Sequence, residues 1–90
     1  MPDDLTQLQR KLLVGGLEER QRGSGVSVYL VGNTEVLRAG SYEFTAERIP
    51  ECVEALESLC ELGLFQRLAP RVYMLTDEGA RVAQVLRDNG

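Results

Sequence analysis

The chain begins with apolar residues at helical spacing. Leucines recur at intervals of three and four across Leu5–Leu17, and Asp3 or Asp4 precedes them as a candidate N-cap, so residues 1–22 are predicted to contain an N-terminal helix. Gly15-Gly16 interrupts this segment, although each glycine costs up to about 1 kcal/mol relative to alanine inside a helix. A closely packed neighbour would explain the glycines, and so would a kink or a helix end; the first explanation is favoured.

Alternating apolar and polar residues replace the helical pattern between residues 26 and 44. Val26–Val31 alternates and is rich in β-branched residues, which predicts a strand, and Gly32-Asn33 predicts a tight turn after it. Thr34–Gly40 fits either a returning strand or a short helix that ends at its glycine, and the strand is favoured. Ser41–Phe44 is a short extended stretch, so we expect the region 26–44 to consist mainly of strands.

A second helix is predicted within residues 45–63. Thr45 can cap a single turn, Ala46–Arg48. The proline that opens Pro50–Leu62 suits the first turn of a new helix, because its missing N–H would have no helical partner there. We expect this central helix to end at Gly63. Its apolar face consists of Cys52, Val53, Leu56, Leu59 and Cys60.

The end of the chain predicts a hairpin followed by a helix. Within residues 64–75, two short apolar runs flank the turn Ala69-Pro70-Arg71, which is the pattern of a two-stranded β-hairpin. Thr76 can cap a last helix over residues 76–88, and Asp77-Glu78 would favour the positive end of its dipole. The apolar stripe of this helix consists of Val82, Ala83 and Leu86.

The second half of the chain resembles a winged-helix domain. The stretch Leu56–Arg67 combines helix leucines with a glycine, an apolar pair and a basic residue, and Val72–Gly79 contains an aromatic residue, a leucine–threonine pair and a glycine. Regulators of the MarR and PadR types carry a similar pattern, and the resemblance covers Arg48–Leu86. It implies an α+β, winged-helix-like fold for residues 1–90 as one domain, with residues 64–75 as the wing.

The resemblance also implies a helix-turn-helix in which residues 45–63 hold the recognition helix. A winged helix places a first helix, a short strand and a second helix before it. In this chain the strand Val26–Val31 is long, and only Ala46–Arg48 or Thr34–Ala39 can serve as the second helix.

Composition narrows the possible functions. The 90 residues are 43% apolar and 27% charged, which is ordinary for one globular domain. The sequence has no histidine, which excludes a Ser-His-Asp triad, a Cys-His dyad and a histidine-containing metal site within one chain. Cys52 and Cys60 lie about 12 Å apart along one predicted helix, too far for a disulfide. We therefore expect no enzyme, no cofactor and no metal.

The cellular compartment is predicted from three features. No apolar run approaches the roughly 20 residues that span a bilayer. The first residues lack the positive and apolar regions of a signal peptide. Two unpaired cysteines agree with a reducing compartment. We expect a cytoplasmic protein with no membrane partner.

Charge gives the sharpest functional indication. The net charge is −4. The outward positions of the central helix are Glu51, Glu54, Ser58 and Glu61, with Glu57 at the flank, and this helix has no basic residue. DNA phosphates would meet like charge there, without counterion release to drive binding. We interpret the face as a docking surface for a protein with a basic surface; a DNA-like decoy and a merely solvated face are the alternatives.

A DNA-binding transcriptional regulator is the alternative function. Arg48 precedes the central helix, where base contacts usually originate, and Arg67 and Arg71 lie in the hairpin, where a wing would contact DNA. Such a regulator would act as a dimer.

The N-terminal helix is the candidate dimer contact. Helical arms beside a winged helix often build dimers in the families that the chain resembles. Its apolar residues form two sets that do not share one face cleanly, so one of them is a candidate contact for a homodimer. The sets are Leu5, Leu8 and Leu12, and Leu13, Val14 and Leu17.

Overall fold

The computed structural model describes residues 5–89, which form a five-stranded antiparallel sheet and three α-helices. The helices are α1 (Gln7–Gln21), α2 (Ile49–Glu61) and α3 (Asp77–Asn89). The strands are β1 (Val26–Val31), β2 (Thr34–Ala39), β3 (Tyr42–Thr45), β4 (Phe65–Ala69) and β5 (Val72–Leu75). The predicted α+β class is confirmed.

Helix α1 starts two residues after the first leucine of its pattern, because Thr6 is its N-cap. The Thr6 hydroxyl accepts a hydrogen bond from the Gln9 amide (3.1 Å), and the Gln9 side chain accepts one from the Thr6 amide (2.9 Å). This capping box provides hydrogen-bond acceptors for two backbone amides that have no acceptor within the helix. The prediction of Asp3 or Asp4 as the cap is therefore wrong, and both aspartates lie outside the described residues.

The glycine pair of α1 lies where the helix crosses the sheet. A Cβ at Gly15 would overlap the carbonyl oxygen of Ala39 in β2, and a Cβ at Gly16 would come within 2.7 Å of the Phe65 ring. The helix continues through both glycines to Gln21. The prediction of closely packed neighbours is confirmed.

Most residues of the two apolar sets of α1 pack within the chain. Leu12, Leu13 and Leu17 are buried in one core, and Leu5 and Leu8 pack against its edge. Because α1 lies between the other two helices and the sheet, it buries side chains around most of its circumference. Val14 of the second set is half-buried and lies outside this core, so a contact of α1 with a second subunit stays a prediction.

The sheet joins the N-terminal strands to the C-terminal hairpin in the order β3-β2-β1-β5-β4. Val26 of β1 pairs with Tyr73 of β5. The segment Thr34–Gly40, which fits a strand or a short helix by sequence, provides strand β2, and the favoured prediction is confirmed. Gly32 has a φ of 64°, which a two-residue turn of type II′ requires at its first position. Gly32 therefore allows the chain to turn back and form β2 beside β1.

The segment before α2 differs from the predicted helix-turn-helix. Ala46–Arg48 is a single 3₁₀ turn that runs directly into α2, and the Thr45 side chain forms no capping hydrogen bond. The other candidate for the second helix, Thr34–Ala39, has its backbone paired on both sides within the sheet. Within residues 5–89, β1 and α2 are therefore separated by two strands and one 3₁₀ turn rather than by an α-helix.

The second half follows its predicted elements closely. Pro50 lies in the first turn of α2, and Gly63, at a φ of 78°, follows the helix end at Leu62. The Thr76 hydroxyl caps α3 by accepting a hydrogen bond from the Gly79 amide (3.0 Å). None of the described helices combines the length and the apolar character needed to cross a membrane.

Candidate interaction site

The four glutamates of α2 occupy different environments. Glu51 is exposed and pairs with Arg48. Glu57 is half-buried and turns towards the hairpin. Glu54 and Glu61 are exposed and form no ion pair with another residue in the described part of the chain. Among residues 5–89, two carboxylates of the acidic face expected from the sequence therefore have an ion-pair partner and two have none.

Glu51 and Glu54 lie at a cleft between α2 and the start of α1, which we call the acidic cleft. Its volume is about 360 Å³. The rest of its lining comes from the N-cap residue Thr6, from Leu8 and Gln9 of α1, and from Ala55 and Ser58 of α2. The cleft thus combines carboxylates with uncharged polar groups and a small apolar surface.

Glu57 connects α2 to the hairpin. The Tyr73 hydroxyl donates a hydrogen bond of 2.5 Å to its carboxylate, and the Arg67 guanidinium lies 3.5 Å from the same oxygen. Burial of the ring, followed by the hydrogen bond to Glu57, raises the pKa of Tyr73 to about 12. Because its carboxylate serves this internal contact, Glu57 contributes less to the acidic face of α2 than its helical position indicates.

The three arginines of the DNA-binding alternative all have carboxylate partners within the chain. Arg48 pairs with Glu51 and lies 5.5 Å from the centre of the Phe44 ring. Arg67 pairs with Glu57, as described above. Arg71 pairs with Glu35 at the end of the β1–β2 hairpin. Sequence spacing could not reveal the Arg67 and Arg71 pairs, because each partner comes from a distant element.

A second groove follows the other side of α1, and we call it the basic groove. Arg10 and Lys11 line it, and its volume is about 450 Å³. The Lys11 ammonium lies 6.0 Å from the centre of the Tyr42 ring and forms no ion pair with another residue in the range 5–89. Gln7 and three apolar side chains complete the lining; the apolar ones are Leu5, Val14 and Leu86.

The basic groove was not predicted from the sequence. Arg10 and Lys11 indicate only a mildly basic helix when they are considered along the chain. Their surroundings come from β3 and α3, which lie more than 30 residues further along. Tertiary packing is therefore what assembles the groove.

No family model, curated protein or solved structure matches this chain. Within residues 5–89 there is also no group of three or more side chains that could hold a metal ion.

Proposed function

We propose that the chain is a non-enzymatic protein-interaction module that binds a basic segment of a protein partner in the acidic cleft. In this proposal the scaffold is winged-helix-like, with α2 in place of the recognition helix and β4–β5 in place of the wing. The observation that carries the proposal is the position of Glu54. Its carboxylate is exposed at the cleft and has no ion-pair partner among the described residues.

The lining of the acidic cleft suits a lysine or arginine side chain. Glu54 can accept a charge-assisted hydrogen bond from the cationic head group. Leu8 and Ala55 offer apolar contact to the aliphatic stem, which long basic side chains bury while their charge stays in water. Gln9 can contribute a further polar contact to the backbone of the partner segment. Charge and apolar contact therefore favour the same kind of ligand.

The DNA-binding alternative has weaker support. Arg48, Arg67 and Arg71 would each have to exchange an internal carboxylate for a phosphate. Exposed ion pairs are individually weak, typically 0–1 kcal/mol, so the exchange itself is not prohibitive. The glutamates would nevertheless remain beside the phosphates, and the net charge of −4 adds a repulsive field. A basic protein segment encounters neither obstacle.

A photocrosslinking experiment tests the protein-binding proposal. A photoreactive amino acid at Ser58, which lines the cleft, should crosslink a protein partner through a segment rich in lysine or arginine. The crosslinked position is mapped by mass spectrometry, and binding is then repeated with the purified partner. We expect Glu54→Lys to reduce the crosslinked yield at least about tenfold, because like charges then meet in the cleft.

Glu61→Lys is the matched control for this experiment. Glu61 is also an exposed glutamate of α2 without an ion pair among the described residues, but it does not line the cleft. This control should keep the crosslinked yield of the parent chain. If Glu54→Lys and Glu61→Lys crosslink equally well while both remain folded by circular dichroism, the proposed site is wrong.

A further inference from the structure

We propose that the partner is a second copy of this chain, in a two-fold dimer where the basic groove of each protomer receives the acidic cleft of the other. This inference rests on the proposed function and identifies its partner. The two surfaces have opposite charge, since Arg10 and Lys11 line one and Glu51 and Glu54 line the other.

The position of α1 makes this arrangement geometrically consistent. At 100° per residue, Thr6 and Gln9 lie on one side of the helix, and Gln7 and Lys11 lie about 150° away around it. A two-fold axis parallel to α1 within the interface therefore places each basic groove opposite the partner's acidic cleft. The same complementary contact forms twice in every dimer.

Lys11 and Glu54 are the charge pair on which the interface depends most. Neither forms an ion pair with another residue between 5 and 89, so neither has to give up an internal partner. Lys11 is half-buried and its ammonium lies near the Tyr42 ring, which restricts its position. Glu51 contributes less, because it shares its charge with Arg48.

Half-buried apolar side chains accompany the charges on both surfaces. Leu5, Val14 and Leu86 line the basic groove, and Leu8 and Ala55 line the acidic cleft. Removal of these groups from water adds a contribution that does not depend on salt. The charges then determine which surface meets which, since electrostatic complementarity mainly controls specificity and the rate of association.

The size of the surface indicates a weak dimer. The first half of α1 is about 11 Å long, and with a molecular width of about 25 Å it gives roughly 300 Å² on each protomer. This area is well below the roughly 800 Å² that each partner contributes to an interface of standard size. We therefore expect a dimer that dissociates in the micromolar range and weakens as salt is raised.

A charge-swap experiment by sedimentation velocity tests the inference. The parent chain should shift from monomer to dimer as its concentration rises through the micromolar range. Lys11→Glu and Glu54→Lys should each raise the dissociation constant at least about tenfold, because each homodimer then contains two like-charge contacts. An equimolar mixture of the two variants should dimerise like the parent, since both contacts in the mixed dimer pair opposite charges.

Control variants lie outside both surfaces. Arg22→Glu and Glu61→Lys reverse exposed charges of the same types without touching either surface, and they should dimerise like the parent. A parent chain that stays monomeric at every concentration overturns the inference. So does a mixture of Lys11→Glu and Glu54→Lys that stays as monomeric as its components.

The crosslinking experiment separates this inference from the function on which it rests. If the Ser58 crosslink joins two copies of the chain through the basic groove, both are supported. If it joins another protein in a Glu54-dependent way while the chain sediments as a monomer, the dimer is wrong and the proposed function stands. If Glu54→Lys alters neither crosslinking nor sedimentation, both are wrong.

Discussion

Glu57 illustrates how contacts of single residues change the character of a surface. By spacing it belongs to the acidic flank of α2, but its carboxylate accepts the Tyr73 hydrogen bond and lies close to Arg67. Tyr73 is only 1% exposed, and a buried hydroxyl without a partner would cost roughly 1–3 kcal/mol. The contact therefore stabilises the packing of α2 on the hairpin while it removes one carboxylate from the acidic face of α2.

The same contact predicts a loss of stability at alkaline pH. The pKa of Tyr73 is about 12 in the folded chain against an ordinary value of 10, so the folded state holds the phenol proton more tightly than the unfolded state. The stabilisation is complete below pH 10 and is lost as pH rises towards 12. We expect the free energy of unfolding to fall by roughly 2–3 kcal/mol over this interval, measured by urea denaturation.

Tyr73→Phe should remove this decline, because the variant has no phenol to titrate at that position. At neutral pH it should be less stable by about 1–2 kcal/mol through loss of the hydrogen bond to Glu57. Tyr29→Phe, which changes an exposed tyrosine in the same way, should keep the alkaline decline of the parent. An unchanged decline in Tyr73→Phe would contradict the assignment.

Among the elements, the contact between α1 and the sheet sets the architecture. Glycines at 15 and 16 allow the helix backbone to approach β2 and the Phe65 ring more closely than side chains would permit. The end of the same helix holds the β2–β3 turn, where Glu19 accepts a hydrogen bond from the Gly40 amide (2.8 Å) and Glu18 accepts one from the Ser41 amide (2.9 Å). Helix and sheet are thus joined at several points along α1.

Gly15→Ala should destabilise the chain although alanine favours helices. The added Cβ would overlap the Ala39 carbonyl oxygen, which belongs to a paired strand and cannot move without disturbing the sheet. Overpacking of this kind typically costs about 1–3 kcal/mol, against a gain of up to about 1 kcal/mol in helix propensity. Chemical denaturation should therefore show a net loss of stability.

Gly16→Ala is the internal comparison for this prediction. Its added Cβ would meet the Phe65 ring at 2.7 Å, and a ring can shift more easily than strand backbone. We expect a smaller loss than for Gly15→Ala. If Gly15→Ala were the more stable of the two variants, the close approach of α1 to β2 would be wrong.

The distribution of charge over the whole molecule opposes nucleic-acid binding. Fourteen acidic residues outnumber ten basic ones, and the arginines of the hairpin already pair with glutamates. Fluorescence anisotropy should show no salt-sensitive binding to random duplex DNA at about 50 mM or about 200 mM salt. The measurement uses micromolar protein, so that weak phosphate contacts would still be detected.

Binding that weakens steeply with salt would instead support the DNA alternative. In that case Arg67→Ala and Arg71→Ala should each weaken it, since both residues lie in the hairpin that would act as the wing. Arg22→Ala, which alters an exposed arginine outside that hairpin, would serve as the control. The proposal of a protein partner would then have to be abandoned.

The order of helices and strands is readable from local signals. Pro50 and Gly63 bound α2, Thr76 caps α3, and the alternation of Val26–Val31 marks a strand, because each of these effects acts over only a few residues. The absence of histidine and the glutamates of α2 are likewise properties of composition and helical period. Local chemistry therefore specified the elements and the acidic character of the α2 surface.

Contacts between distant segments could not be predicted from those local signals. Residues far apart in the chain are joined by the pairing of β1 with β5 and by the turn of Glu57 towards Tyr73. The burial of Leu12, Leu13 and Leu17 of α1 joins distant residues in the same way. The acidic cleft and the basic groove exist only because α1 packs between these elements. Packing decides which carboxylates have an ion-pair partner and which basic residues line the other side of α1. The reason is that an ion pair depends on distance in space and not on distance along the chain.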